Sequence, residues 1–414
     1  MEEKGGKRMN IDPLDIISNM THLVPFYEPF FSAEDHQIVG YEVLGKFMKD
    51  QTAADLDCFF MDQQIPEDYR LEAYTHLMNH AIDHLIREKQ TGFLALRMDP
   101  NILIYDVDEA IIKTVLSKEP EGFLPSQMIF VLPEESLKGI EGSIEHTVQF
   151  IKTFGIRIAI ENAESSGVRL ERIGPLSPHF IRISLVSLKS QSGTIGFDET
   201  IYALSSFARK IGATLMFDKI EMEHQLMFAW KNGGRYYQGP LLAKASAGLE
   251  KKDKSKELLK KELSRFMSFE KKKLVALKAL ETKLYEDLNN VLDKYKNNHA
   301  FEELIQEAAR VLKDRAFRVY VCDEDGYQLS SNLLRQEEQW IHQKEYLQKN
   351  WSWRPYFLEN VFKMSRSKQG LLSDLYSDIE TGEWIRTFSI PITNRFFLFI
   401  DLSYSFLFEE ENLL

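Results

Sequence analysis

Eight short apolar stretches recur between residues 20 and 245, and segments of helical periodicity lie between most of them. The apolar stretches, which predict strands, are 24–31, 38–45, 92–98, 127–132, 156–161, 179–184, 213–218 and 235–238. The helical segments are 68–88, 107–117, 142–154, 195–211 and 221–231. This alternation predicts an α/β fold, a TIM-type (β/α)8 barrel. The polar turn SAEDHQ joins the first two strands as a hairpin, so we expect a modified barrel with one antiparallel strand.

The sequence changes character after residue 248. Residues 249–297 are rich in Lys and Glu and carry leucines at helical spacing, which predicts one long connecting helix that either pairs two chains or packs on its own barrel. Residues 298–414 combine a helical segment with several strand candidates and predict an α+β sensor domain. The predicted organisation is therefore an N-terminal extension (1–19), a barrel (20–248), a helical linker (249–297) and a sensor domain (298–414).

Composition narrows the classes of protein that the chain can belong to. A formal charge of −12 argues against a general surface for nucleic-acid polymers, which would be basic, although a local basic pocket is compatible with it. With two cysteines, far apart in sequence, a reducing cytoplasm is the simplest expectation. We find no apolar run long enough to span a membrane, and the polar start MEEKGGKRMN does not have the pattern of a signal peptide.

Glu42 interrupts the apolar strand IVGYEVLGKF. A buried carboxylate is costly unless it is paired with a cation or bound to a metal. The residue is therefore a metal ligand, a structural ion-pair partner, or the remnant of a metal site.

Polar residues also recur where the other predicted strands end. In a parallel barrel the site lies at the carboxyl ends of the strands, so these residues predict a carboxylate-rich ring that contains two arginines. The ring consists of Glu42, Arg97 with Asp99, Glu134 and Glu135, Glu161 with Asn162, Arg182, Asp218 with Glu221, and Gln238. For any one position, a solvated strand end or an ion pair is the simpler explanation.

Several motifs resemble those of EAL domains, the cyclic di-GMP phosphodiesterases. PFYEPFFSAEDHQIVGYEVLGKF resembles their opening and their Glu-Ala-Leu strand, and LSPHFIRISL resembles their Pro-x-x-x-Lys-x-Asp strand. FDKIEMEHQLMFAWKNGGRYYQGPLLAKA resembles their last strands and Gln-Gly ending. The resemblance covers roughly residues 20–245. With the long helix and the tail, the whole chain resembles the YkuI type of EAL protein, and the tail resembles PAS and Cache sensor domains.

The resemblance implies two-metal hydrolysis of a phosphodiester, with Mg²⁺ or Mn²⁺ held by oxygen ligands. Several positions depart from the family pattern. Arg97 stands where the family has an Asn ligand, and a guanidinium cannot ligate a cation. Pro133 replaces a Glu, with Glu134 one residue away, and Asn162 replaces one Asp of a pair.

The remaining positions are altered more mildly or match. Lys46 stands for the family Arg, Glu161 for the first Asp of the pair, and Arg182 for the Lys that orients water. Further on, Ser184 replaces an Asp and Asp218 a Glu, whereas Glu42, Glu221 and Gln238 match as they stand.

Three functions follow from this comparison. The first is a non-catalytic cyclic di-GMP receptor or interaction module without a metal, in which Glu42 pairs with Arg97 or another cation. Its nucleotide-binding residues would be Lys46, Arg97, Arg182, Arg235 and Gln238. The second is an active phosphodiesterase that forms linear pGpG, with Asp218 and Glu221 catalytic and Glu42, Glu134, Glu161 and Asp218 holding Mg²⁺ or Mn²⁺. The third is a dimeric scaffold that binds no nucleotide. We expect a homodimer in each case.

The tail contains a cluster of aromatic residues around one arginine. WSWRPYFLEN and LYSDIETG predict a pocket for an unidentified small molecule, because an Arg amid aromatic rings suits an anionic ligand and a nearby carboxylate suits an ammonium group. The candidate residues are Trp353, Arg354, Tyr356, Tyr376 and Asp378. The alternative is that these aromatic side chains simply fill the core of a small domain.

Overall fold

The structure is a computed structural model that describes residues 11–49, 52–162, 169–186, 195–337, 339–354 and 357–409. The chain folds as two compact units, Met1–Arg265 and Phe266–Leu414. No helix among the described residues is both long and apolar enough to cross a lipid bilayer.

The first unit contains a closed barrel of eight strands, which confirms the predicted fold. Its sheet consists of β1 (Leu23–Ser32), β2 (Ile38–Lys49), β3 (Thr52–Asp55), β4 (Phe93–Arg97), β5 (Met128–Pro133), β6 (Arg157–Asn162), β7 (Phe180–Ser184), β8 (Thr214–Asp218) and β9 (Tyr236–Gln238). The strand order is β1-β9-β8-β7-β6-β5-β4-β2-β3, and pairing of β1 with β2 closes the barrel. β1 runs antiparallel to both of its neighbours, as the polar turn predicts. β3 is an additional strand that folds back on the end of β2.

A helix precedes the first barrel strand, and further helices follow most of the others. They are α1 (Pro13–Ser18), α2 (Asp57–Met61), α3 (Glu67–Arg87), α4 (Pro100–Tyr105), α5 (Ala110–Ser117), α6 (Glu141–Thr153), α7 (Leu170–Leu176), α8 (Ile195–Ile211) and α9 (Glu223–Lys231). The predicted helix 107–117 starts later than expected, because the Asp106 carboxylate accepts hydrogen bonds from the amides of Ala110 and Ile111 and so caps α5. The short helices α2, α4 and α7 have too few turns to show a clear period in sequence.

Apolar side chains fill one layer of the barrel interior. The layer contains Phe30, Ala95, Ile129, Val131, Ala159, Phe180, Met216 and Tyr236. Because side chains alternate between the two faces of a strand, the residue two positions further along each parallel strand also points inward. A second interior layer therefore lies on top of the apolar one, and it is this layer that holds the candidate site.

The second unit is built on an antiparallel sheet. Its helices are the later part of α10 (Lys256–Tyr295), α11 (Phe301–Leu312), α12 (Phe357–Ser367) and α13 (Tyr404–Glu409). Its strands are β10 (Ala316–Asp323), β11 (Asn332–Gln336), β12 (Gln339–Gln343), β13 (Leu371–Leu372), β14 (Tyr376–Ser377), β15 (Trp384–Pro391) and β16 (Phe396–Leu402). The order is β12-β11-β10-β16-β15-β13, with β14 paired to β15.

Each face of this sheet is covered by helices. Leu284 and Leu288 of α10 and Leu304 of α11 belong to one apolar core with the sheet, whereas Phe357 and Met364 of α12 pack on the other face. The leucines that suggested a pairing helix are therefore used largely within this unit, and dimerisation stays a prediction. The resemblance of the tail to PAS or Cache domains also stays a prediction.

Candidate functional site: a buried arginine among carboxylates

The second interior layer of the barrel is polar. Moving two residues along the parallel strands from the apolar layer leads to Arg97, Pro133, Glu161, Arg182, Asp218 and Gln238. On β2, whose Gly40 contributes no side chain to the apolar layer, the same step from Gly40 leads to Glu42. On the antiparallel strand β1 the same step runs backwards along the chain and leads from Phe30 to Glu28, which lies directly opposite Glu42. Glu28 does not lie at the carboxyl end of its strand, so the pattern of polar strand ends does not include it; the antiparallel direction of β1 places it in the layer.

Arg182 lies at the centre of this layer and is fully buried. Its Nη1 and Nη2 donate to the two carboxylate oxygens of Glu42, each at 2.7 Å. Its Nη2 and Nε also donate to Oδ2 of Asp218 at 2.7 and 3.0 Å, and Nε lies 3.6 Å from Glu161. The partner of Glu42 is thus Arg182, which agrees with the prediction of another cation and not with that of Arg97.

These contacts set the protonation of the two carboxyl groups in opposite directions. Burial alone would raise the pKa of Glu42, but the charge and hydrogen bonds of Arg182 outweigh it and lower the pKa to about 2. Burial raises the pKa of Asp218, and Arg182 offsets only part of this effect. The difference follows from geometry, because Glu42 accepts from Arg182 through both oxygens and Asp218 through one.

Arg97 forms a second cluster of ion pairs, at the mouth of the barrel. Its Nε donates to Glu161 at 2.6 Å, and its Nη1 donates to both oxygens of Asp57 at 3.1 and 3.0 Å. Asp57 begins α2 and was not a candidate in the sequence. Arg97 therefore neutralises Glu161, as expected for a cation within the carboxylate ring, and it does so without contacting Glu42.

Further groups complete the layer and its rim. Gln238 donates to Glu42 at 2.5 Å. Burial and the nearby charge of Glu42 raise the pKa of Glu28. Burial alone would lower the pKa of Lys219, but three carboxylates, one of them Glu42, outweigh it and raise that pKa. Lys219 follows Asp218 with a left-handed backbone (φ 57°) and had no sequence signal as a site residue. Lys46 is paired with Asp55 at 2.6 Å.

A cavity of about 290 Å³ opens above this layer. Its lining combines the carboxylates and arginines with residues of the rim. The lining includes Glu42, Asp55, Asp57, Arg97, Glu161, Arg182, Ser184, Asp218 and Lys219. The site is therefore a charged recess at the carboxyl ends of the parallel strands, where a barrel of this kind is expected to bind its ligand.

Other predicted site residues lie elsewhere or have another role. Arg235 precedes β9, so it lies at the amino end of a parallel strand, away from the cavity, and pairs with the exposed Glu34. Glu134 is bound by Arg172 at 3.1 Å and is absent from the cavity lining. Asp99 is a structural residue, because it accepts from the buried Arg70 and caps α4.

Two further ring positions stay predictions. Glu221 is exposed just beyond β8, and its backbone amide donates to Gln225. Asn162 ends β6, and its side chain lies outside what the structure describes.

The oxygen atoms of this polar layer are the candidate ligands for a divalent metal ion. Two buried acceptor atoms, Oδ1 of Asp218 and Oε1 of Gln238, have no hydrogen-bond partner among the described residues. However, both oxygens of Glu42 already accept from Arg182, so a metal at Glu42 would lie against a permanent positive charge. Within the described ranges, no group of three or more His, Cys, Asp or Glu side chains is arranged to hold a metal ion. The residues as placed do not fit Mg²⁺ or Mn²⁺.

The predicted ligand residues of the second unit do not converge on one pocket. Trp353 is exposed, whereas Arg354 stacks over Trp351 at 4.6 Å and lines a very small cavity with Tyr320 and Phe357. Tyr356 lies outside the described residues.

The other two candidates are engaged in contacts with the protein. The Tyr376 hydroxyl shares a 2.6 Å hydrogen bond with Thr387, and Arg318 binds both oxygens of Asp378. Asp378 therefore belongs to a structural ion pair here.

Comparison with known proteins defines the family. Residues 15–245 match the EAL domain, and residues 249–414 match the EAL-domain associated signalling protein domain. The chain belongs to the EAL-domain family, as its motifs predict.

Within this family the chain is similar to a protein of known structure. It is 38% identical over 406 residues to the uncharacterized EAL-domain containing protein YkuI of Bacillus subtilis (strain 168), covering 98% of this chain and 100% of that one. The crystal structure of B. subtilis YkuI, in complex with substrate c-di-GMP and calcium, superposes with a TM-score of 0.91 at 38% identity and the same coverage. The FimX EAL domain from Pseudomonas aeruginosa, bound to c-di-GMP, shares the fold alone (16% identity, TM-score 0.51, 59% of this chain and 100% of that one).

Proposed function

We propose that the barrel is a cyclic di-GMP receptor that holds the ligand through its own cations and does not hydrolyse it. The observation that carries the proposal is the position of Arg182, whose guanidinium lies between Glu42 and Asp218. These carboxylates are the ones that the family resemblance assigns to metal ions. With Arg182 between them, the cluster is neutralised by the protein itself.

A chemical argument supports the proposed lack of hydrolysis. Metal-assisted cleavage of a phosphodiester needs a cation that lowers the pKa of a bound water and another charge that stabilises the leaving oxygen. A guanidinium stabilises negative charge, but it cannot coordinate a water or accept its proton. With Arg182 in the place of a metal, the barrel keeps cations that bind a phosphate and has no Lewis acid to activate a water.

The ligand class is supported by the cavity and by the relatives. Arg97 lines the cavity, and Lys46 on the neighbouring strand pairs with Asp55 of the lining; their side chains are 22% and 17% exposed respectively. Guanidinium and ammonium groups are the usual phosphate partners in proteins. The YkuI structure, at 38% identity, contains c-di-GMP. We extend this ligand to the present barrel, with Arg97 as its main phosphate contact, Lys46 as the second, and Gln238 holding Glu42 in place.

We further propose that the second unit senses a small molecule and that the receptor acts as a homodimer. The support for sensing is the aromatic enclosure of Arg354, which stacks over Trp351 at 4.6 Å and Trp353 at 5.9 Å. Because the cavity beside Arg354 is very small, a ligand there would have to open it. The support for dimerisation is limited to the exposed apolar residues of α10, such as Leu274 and Val275.

An active phosphodiesterase remains the second candidate, because Glu42, Glu161 and Asp218 still surround one recess. Calorimetric titration with cyclic di-GMP, in EDTA and in Mn²⁺, combined with chromatography for pGpG, separates the functions. We expect binding in EDTA and no product. Mn²⁺-dependent product that disappears in Glu42→Gln would establish the enzyme, whereas neither binding nor product would leave a scaffold.

A matched pair of arginine variants tests the binding site. Arg97→Gln should weaken cyclic di-GMP binding by about tenfold to a hundredfold, the range for a lost charged hydrogen bond. Arg235→Gln removes the same charge at the other end of the barrel and should leave the affinity unchanged. Equal affinities for the two variants would place the ligand elsewhere.

A further inference from the structure

We infer that Asp55 and Asp57 are an internal competitor for the phosphate, so that ligand binding requires these carboxylates to be displaced from Lys46 and Arg97. We call the two residues the acidic cover. The inference rests on the proposed receptor function and adds a regulatory element to the same site.

The acidic cover is built by the hairpin that precedes α2. β3 pairs with the end of β2 so that Asp55 lies opposite Lys46, and Oδ2 of Asp55 is 2.6 Å from Nζ of Lys46. The other oxygen, Oδ1, accepts the backbone N–H of Asp57 at 2.9 Å. Asp57 in turn accepts from Nη1 of Arg97 through both oxygens. The two carboxylates thus form a linked pair, and each one contacts a cation that we assign to phosphate binding.

Exposure shows on which side the acidic cover lies. The side chains of Asp55 and Asp57 are 63% and 60% exposed, whereas those of Lys46 and Arg97 are 17% and 22% exposed. The carboxylates therefore stand between the cations and the solvent. A phosphate that enters from solvent meets negative charge first and finds both cations already paired.

Exchange of the partners does not require the hairpin to unfold. Between and after the two aspartates, Leu56 and Phe59 are fully buried and Phe60 nearly so, which anchors the backbone of the cover. The two aspartate side chains are more than half exposed, so rotation about their own side-chain bonds is enough to turn the carboxylates into solvent. Because partly exposed ion pairs contribute little, a single phosphodiester that contacts Arg97 and Lys46 through its two non-bridging oxygens can displace both carboxylates.

The same geometry separates the acidic cover from the carboxylates deeper in the barrel. Glu42 and Asp218 are buried and share Arg182, so their removal would leave an uncompensated buried charge. Asp55 and Asp57 can be changed to amides of the same shape while remaining partly in water. Asp→Asn variants of the acidic cover should therefore fold normally, which the melting temperature verifies.

The test is calorimetric titration of cyclic di-GMP into the full chain and its variants, in EDTA at low salt. We expect Asp57→Asn to bind about fivefold more tightly than the wild type, and Asp55→Asn/Asp57→Asn more tightly still, since each lost pair removes one weak competitor. Glu34→Gln is the control, because it changes the net charge equally but pairs with Arg235 away from the cavity. Raising the salt concentration should narrow the difference between wild type and variants.

The outcomes separate this inference from the receptor proposal. If the wild type binds and Asp57→Asn binds equally or more weakly, the receptor stands and the acidic cover is overturned as a competitor. A weaker variant would mean that Asp57 contacts the ligand. If the affinity of Asp57→Asn for cyclic di-GMP rises no more than that of Glu34→Gln, the effect comes from net charge alone and the inference fails. Absence of binding by every protein would overturn both proposals, and binding by the variants alone would support both.

Discussion

Each unit of the molecule contains a buried arginine that binds two carboxylates, Arg182 in the barrel and Arg318 in the second unit, and the two clusters differ in which hydrogen-bonding groups they leave unsatisfied. In the barrel, Arg182 binds Glu42 through two nitrogens and Asp218 beside it. In the second unit, Arg318 binds Asp378 through two nitrogens at 2.9 and 3.0 Å and Asp401 beside it at 2.9 Å. The two arginines thus bind their carboxylate partners in nearly the same arrangement.

The protonation behaviour of the two clusters is also alike. In each, hydrogen bonds and charge from the arginine lower the pKa of the carboxyl held by two nitrogens, Glu42 or Asp378, although burial opposes this. In each, burial raises the pKa of the other carboxyl, Asp218 or Asp401. An arginine fork can satisfy one carboxylate fully, and the second one is left partly uncompensated.

The difference lies in the spare hydrogen-bonding groups. Around Arg318, Asp378 also accepts from Thr381 and Asp401 accepts from Thr387, and among the described residues the buried atom without a partner is a donor, Nε of Arg318. Around Arg182 the corresponding atoms are acceptors, Oδ1 of Asp218 and Oε1 of Gln238. The Arg182 cluster also lines a cavity. Of these two clusters, the one with spare acceptors is thus also the one that lines an open recess.

The largest expected effect comes from removing each arginine. Arg182→Met and Arg318→Met should each destabilise their own unit by about 3–5 kcal/mol, because buried carboxylates lose their counter-charge. Differential scanning calorimetry, which resolves separate transitions, measures the loss. Mn²⁺ should partly restore the transition of Arg182→Met, where three carboxylates face a cavity, but not that of Arg318→Met. If Mn²⁺ shifts the unfolding transitions of both variants equally, the two clusters do not differ in their capacity to bind a metal.

The next effect is the pH dependence that Glu42 contributes. Because its folded pKa of about 2 lies below the usual value of 4.5, its contribution is complete above pH 4.5 and is lost as the pH falls toward 2. The full loss is on the order of 3 kcal/mol, of which about 1 kcal/mol should be gone at pH 4. Urea unfolding of wild type and Glu42→Gln at pH 7 and pH 4 measures it. The wild type should lose more stability than the variant, and parallel losses would show that Glu42 is not held by Arg182.

The smallest effect concerns a neutral hydrogen bond at the edge of the Arg318 cluster. Tyr376→Phe removes the hydroxyl that bonds to Thr387, which itself donates to Asp401. We expect a loss of about 1 kcal/mol in the second unit and no change in cyclic di-GMP affinity. Tyr404→Phe, which changes a partly exposed tyrosine of the same unit, is the control and should have little effect. A loss above about 3 kcal/mol would mean that Tyr376 supports the cluster far more than one hydrogen bond can.

The fold and much of the site were predictable from sequence because their signals are local. The period of two within each strand, the turn SAEDHQ and the polar residues at strand ends need only neighbouring residues to be read. The rule that site residues lie at the carboxyl ends of parallel strands excludes Arg235 from the site, because Arg235 comes just before β9. Glu28 could have been included once the first strand was recognised as antiparallel, because the direction of a strand decides which of its ends faces the site.

The sequence by itself determined that a barrel would form, that Glu42 would be buried in one of its strands, and that an arginine would stand inside the carboxylate ring. Only the tertiary structure decided that Arg182 rather than Arg97 holds Glu42, and that Asp55 and Asp57 cover the outer cations. The physical reason is that alternation along a strand is fixed by the chain, whereas closure of the barrel fixes which side chains meet across it. Arg182 and Glu42 are 140 positions apart in the chain, and no local sequence pattern predicts that their side chains meet.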